Sequence, residues 1–154
     1  MHSMTRSTPL ALALVLALTG CATVKYGDKD AEAQLKRLSP IPGKASVYVC
    51  RESAMLVGAG NRTTAVVDNR PIGTLKPANF AHVAVEPGAH SLYIKRSPGG
   101  DSGVLNFNAQ AGEVVILWVG MTAAGFRTLT VDQFSSRAEA ERCVAGAEYA
   151  VLAE

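Results

Sequence analysis

Residues 104 to 120 read VLNFNAQAGEVVILWVG, and two strand patterns meet there. Leu105 and Phe107 alternate with Asn106 and Asn108, the period-two signature of a strand with one face buried and the other in water. Beyond the turn QAG, Val114 to Val119 are apolar on both faces, which predicts a strand buried in the middle of the structure.

The same period runs outward in both directions. ASVYVCRE (45–52), TTAVVD (63–68), FAHVAVE (80–86), HSLYIKR (90–96) and FRTLTVD (126–132) read as strands. DNRPIG, EPGAH, SPGGDSG and QAGE between them supply residues that preset φ or tolerate positive φ. About seven short strands at roughly ten-residue spacing favour an antiparallel sandwich or barrel. No strand alternates with helices, so a parallel α/β sheet is not expected.

A single helix closes this pattern. Ser136 and Glu139 have the S-x-x-E spacing of a capping box, and Ala140, Cys143, Val144 and Ala147 fall on one apolar face. EYAVLAE (148–154) suits either a last strand or a packed tail. The expected fold is thus mainly β: an antiparallel β-sandwich over residues 45–154 with one C-terminal helix, preceded by a signal peptide and a tether.

Upstream, residues 21–44 read as a lipidated start, a tether and a short helix. In DKDAEAQLKRL, Asp28 and Asp30 come early and Lys36 and Arg37 late, matching the helix dipole. SPIPGK then stops the helix. Length and polarity suit a spacer that lifts the domain off a membrane.

Residues 1–20 carry one cation, Arg6, and then nine consecutive apolar residues, Leu10 to Leu18. That run fits the apolar region of a secretory signal and falls short of the roughly 20 residues that span a bilayer. Leu18, Thr19, Gly20 and Cys21 resemble the bacterial lipobox. The resemblance implies that the Cys21 thiol takes diacylglycerol, that cleavage falls just before it, and that the new amino group is acylated. Two or three chains hold a protein stably on a membrane where one holds it only marginally. Ala22 rather than Asp after the cysteine implies, by the same resemblance, an outer-membrane protein facing the periplasm. The competing reading, a buried first helix with a free core cysteine, is disfavoured because nothing after Cys21 continues the apolar pattern.

Without the signal, the chain keeps the length of one domain with one core. The formal charge of +2 falls by one when Arg6 is lost. Near neutrality, with no Lys/Arg cluster, argues against nucleic acid as a partner. Cys50 and Cys143 form an even pair in an exported chain, a disulfide candidate. Because Cys50 lies among strand residues and Cys143 on an apolar helix face, two separate buried thiols are the favoured reading.

PGKASVYVCRES (42–53) resembles a group of bacterial lipoproteins known as domain of unknown function 2846, through Pro42, Gly43, Lys44 and Ala45 followed by Tyr48 and Arg51. The block VVDNRPIGTLKPANFAHVAVEPGAHSLYIK is similar to the hairpin of that family and to domains named for a Pro-Glu-Gly-Ala motif. The likeness spans about residues 40 to 145, implies the β fold, and implies no activity. Cys50 stands where the family usually has an aromatic or aliphatic residue.

The remaining motifs read as structure. GDSG (100–103) echoes a serine-protease loop but lies in a Gly/Pro turn, and neither His82 nor His90 sits in a nucleophile motif. The two histidines lack the further spaced ligands a metal site needs, and His90 is expected at the core edge with a backbone hydrogen bond. GAGNR (58–62) lacks the third glycine and the helix of a phosphate loop. Arg51, Arg62, Arg70 and Arg96 read as a solvated face, and Trp118 as core. These features predict no catalytic, cofactor or metal residues. They predict a non-enzymatic module for envelope proteins or cell wall, with a small envelope ligand or peptidoglycan fragment as the second reading.

Overall fold

The computed structural model describes residues 24–53, 62–96, 99–122 and 128–152; the signal, Cys21 and most of GAGNR lie outside them. Ten strands and two helices follow in order. They are β1 (Lys25–Tyr26), α1 (Lys29–Leu35), β2 (Ala45–Arg51), β3 (Thr63–Val67), β4 (Arg70–Leu75) and β5 (Asn79–Val85). Then come β6 (Gly88–Arg96), β7 (Leu105–Ala109), β8 (Val114–Thr122), β9 (Thr128–Gln133), α2 (Arg137–Gly146) and β10 (Glu148–Val151). The six-stranded sheet runs β1-β10-β5-β2-β8-β9 and the four-stranded sheet β4-β3-β6-β7. The expected β class and C-terminal helix are present.

The sheets are not wholly antiparallel. β2 pairs in parallel with β8, from Ser46–Val114 to Arg51–Val119, and β10 pairs in parallel with β5. Parallel neighbours need a long crossover, usually a helix. Here the chain leaves β2, builds β3 and β4 of the other sheet, comes back for β5 beside β2, and builds β6 and β7 before β8, so strands rather than a helix make the crossover. EYAVLAE resolves as the strand β10.

One buried cluster joins the sheets. Val47 and Val49 of β2, Ala81 of β5 and Leu117 and Val119 of β8 meet Ala65 and Val67 of β3, Leu92 and Ile94 of β6 and Phe107 of β7. A second cluster lies on the outer face of the large sheet, where Tyr48, Cys50, Phe80 and Ile116 meet Ala140 and Val144 of α2 and Ala147 at its C-cap. The whole of β2 is therefore buried, and the doubly apolar pattern of β8 has the same cause. β7 at a sheet edge keeps Asn106 and Asn108 exposed, as its alternation predicts.

Two local signals are realised. Ser136 caps α2, its Oγ accepting the Glu139 N–H at 3.3 Å. Asp68 and Asn69 both have positive φ, the two-residue turn that suits a twisted hairpin between β3 and β4.

The segment expected as a tether is instead docked on the domain. Val24 is 8% exposed and packs in the main core, and Lys25 pairs with Val151. Glu32 of α1 accepts the Tyr149 N–H at 3.0 Å and salt-bridges Lys36 and Lys29. The Tyr48 hydroxyl donates to the Leu35 carbonyl at 2.9 Å. Helical polarity alone hides this docking, because contact is made by one carboxylate and by Leu35 and Leu38.

Candidate functional site

The four-stranded sheet ends at β7. Its other end strand, β4, packs against β5 and β10; of the large sheet's two end strands, β9 packs against β6 and β1 is a two-residue strand. β7 is the edge with hollows on both sides. One, of about 420 Å³, is lined by Asp68, His90, Ser91, Asn106, Phe107 and Asn108. The other, of about 190 Å³, runs from Phe107 and Asn108 to Glu113, Gln133, Phe134 and Arg137. An edge strand offers unpaired backbone donors and acceptors to an added strand, and flanking hollows accept its alternate side chains.

His90 stiffens this region. Its Nδ1 lies 2.6 Å from Asp68 Oδ2 and its Nε2 lies 2.7 Å from the Glu86 carbonyl. Both partners are acceptors, so the arrangement favours the doubly protonated ring. Burial lowers the His90 pKa, but the Asp68 and Glu86 contacts outweigh it and raise it above the ordinary value. The backbone bond expected at His90 is present, and Asp68 is the partner that the sequence reading missed.

A second concavity, of about 460 Å³, lies under α1 on the outer face of the large sheet. Gln34, Leu35, Arg37 and Ile41 form one wall, and Tyr48, His82 and Tyr149 belong to the other. His82 Nε2 lies 3.0 Å from Ser46 Oγ, and its ring centroid lies 4.7 Å from that of Tyr48. Burial lowers the His82 pKa to about 4. At neutral pH the ring is neutral and a weak base, and no carboxylate orients it among the described residues, so the pair lacks the third member of a nucleophilic triad. Tyr48 is the register partner of His82 and Ser46 that of Ala84, so Ser46 and His82 are diagonal neighbours on one face, a relation visible only once β2 and β5 are aligned.

Cys50 and Cys143 are joined, with their Cα atoms 6.3 Å apart. This corrects the favoured reading of two separate thiols. The apolar face of α2 that carries Cys143 packs on the cluster that contains Cys50 of β2, so packing brings the sulfurs together. Cys21 lies outside the described residues.

Other expectations resolve as follows. Arg51 is 3% exposed rather than part of a solvated face, its Nη1 donating to Thr63 Oγ1 and the Leu75 carbonyl. Trp118 is half-buried rather than core, because the outer cluster stops at Ile116, and its indole donates to the Glu52 carboxylate at 2.9 Å. Ser102 of GDSG accepts the Ile94 N–H at 2.8 Å, pinning the turn onto β6. His82 and His90 lie in different sheets, and no group of three or more metal-binding side chains is gathered among the described residues. Comparison of the chain with protein-family models, curated proteins and solved structures returns no match.

The two histidines impose opposite pH dependences. The His82 pKa is depressed in the fold, so the unfolded chain binds more protons and stability falls as pH drops from about 6.5 towards about 4. The His90 pKa is raised, so its contribution is full below the unfolded value of 6.5 and fades as pH rises through the folded one. Burial would raise the Glu32 pKa, but the Tyr149 N–H, Lys36 and Lys29 hold it at about 2, and that contribution fades as pH falls from 4.5 towards 2. Urea midpoints across pH 3 to 9 are expected to peak near pH 6.5. His90→Gln should flatten the alkaline side, and His82→Phe the acid side down to about pH 5.

Proposed function

We propose that the chain is a lipid-anchored protein of the bacterial outer membrane, facing the periplasm, with diacylglycerol and an acyl group on Cys21. Its two-sheet domain, read as a β-sandwich, serves as a non-enzymatic binding or structural module for an envelope protein or the cell wall. The observation that carries the binding role is the β7 edge, a strand at the end of its sheet with hollows on both sides. Strand addition there would give affinity through the main chain and specificity through the hollows. The Cys50–Cys143 bridge supports an oxidising compartment. The resemblance to domain of unknown function 2846 lipoproteins points the same way.

The second reading, a module for a small envelope ligand or peptidoglycan fragment, is favoured by the groove under α1. Its lining combines the Arg37 cation, the Gln34 amide and the aromatic Tyr149 and His82, a set suited to a partly apolar anion. The space between the sheets is filled by the main core, so this groove on the outer face is where such a ligand would sit.

A photocrosslinking residue at Asn108, and separately at Gln34, distinguishes the two in intact cells. The first reading predicts a discrete protein adduct from position 108 and none from 34. A glycan or small-molecule adduct confined to position 34 would transfer the assignment to the groove, and absence of adducts at both would contradict both.

A further inference from the structure

The lipid anchor and the folded domain are almost contiguous. Only Ala22 and Thr23 separate Cys21 from Val24, which is buried in the main core. Three peptide steps span at most about 11 Å. The headgroup layer of one leaflet takes up roughly 5–7 Å of that, leaving no room for a solvated spacer. Where the chain enters the fold is fixed by register: Lys25 pairs with Val151 and Tyr26 with Ala150, so Leu152 lies beside Val24 at the point of entry.

That edge carries two exposed hydrophobic side chains. Among the described residues the exposed large hydrophobics are Tyr26, Val104 and Leu152, at 42%, 62% and 39%. Strand alternation puts Tyr26 and Leu152 on one face with the buried Val24 and Ala150. Tyrosine and leucine beside an acylated residue match an interface where rings sit at headgroup level and aliphatic side chains reach the acyl boundary. The cations at this edge are the exposed Lys25 of β1 itself and Lys29, which is held by Glu32 and Glu148.

We propose that the β1–β10 edge lies flush on the lipid surface, with Leu152 and Tyr26 in the headgroup layer, so that the domain has a fixed face towards the bilayer. This rests on lipidation of Cys21. The anchor then acts as one corner of a lipid-binding surface.

The test uses the full, lipidated chain in vesicles of phosphatidylethanolamine and phosphatidylglycerol. Leu152→Cys and, separately, Val104→Cys carry an environment-sensitive fluorophore, the native Cys50 and Cys143 being bridged. The proposal expects blue-shifted emission at 152 that headgroup-proximal spin-labelled lipid quenches, and neither effect at 104. A Gly-Ser insertion of about twelve residues between Thr23 and Val24 should weaken the quenching at 152 while the protein stays with the vesicles. Vesicle-bound protein with no quenching at 152 would overturn the flush orientation and leave the anchor intact. Protein that fails to join vesicles and has an unacylated Cys21 would overturn both.

Discussion

Replacing Cys50 and Cys143 together with alanine is expected to lower the unfolding free energy by about 4 kcal/mol. The bridge closes a loop with a sequence separation of 93, and loop-closure entropy for a loop of that order corresponds to about 4–5 kcal/mol, within a measured range of about 2–5. The effect is local as well as global. The bridge ties α2 to the central strand β2, and α2 otherwise holds the outer face through Ala140 and Val144, with Ala147 at its C-cap, and through the Arg137 bond to the Val114 carbonyl. Reductant added to the wild-type protein should reproduce the loss, with hydrogen exchange in α2 rising first. Urea unfolding provides the check: a shift below about 1 kcal/mol would mean that side-chain packing alone holds α2 in place.

The second large effect is expected at Gly73, where β4 closely approaches β5 and β10. A Cβ there would lie 2.7 Å from the Ala81 Cβ and 2.8 Å from the Ala150 carbonyl oxygen. Ala150 belongs to β10, whose backbone is held by pairing to β5 and β1, so the carbonyl cannot easily retreat. Gly73→Ala is expected to cost about 2 kcal/mol, in the range of overpacked cores, and Gly73→Val more than that. Gly100→Ala is the control, since nothing lies within 4 Å of a Cβ at that position. Its expected effect is within about 0.5 kcal/mol of zero. Equal thermal midpoints for Gly73→Ala and Gly100→Ala would contradict the close approach.

Strand identities were legible because alternation is a local property. Asn106 and Asn108 outward with Leu105 and Phe107 inward follow from the period-two alternation, and burial of Val114–Val119 on both faces from its absence. Parallel pairing was not legible, because the route from β2 to β8 passes through another sheet and no segment between them announces its destination. The disulfide is hidden for the same reason: Cys50 reads only as a strand residue and Cys143 as part of an apolar helix face, and nothing local states that the two belong to one cluster.

The candidate site shows the same division. Asn108 and Phe107 are visible in the sequence as residues of a half-exposed strand, whereas its edge position depends on sheet order and one hollow beside it on Arg137 and Phe134 from a different part of the chain. The Asp68–His90 contact joins a turn to a strand 22 positions later. The docking of α1 hinges on Glu32, a residue that reads as ordinary helix surface until Tyr149 supplies its N–H. Polar contacts between distant elements leave no periodic trace, and these contacts shape the site.

The central claim, a β-domain built directly onto a lipidated cysteine, is tested most directly by mass spectrometry of the N-terminal peptide from the detergent-extracted, membrane-bound protein. The predicted result is a peptide that begins at Cys21 and carries diacylglycerol on sulfur and an acyl group on nitrogen. A peptide that begins upstream of Cys21, or a Cys21 that carries no lipid, would contradict it.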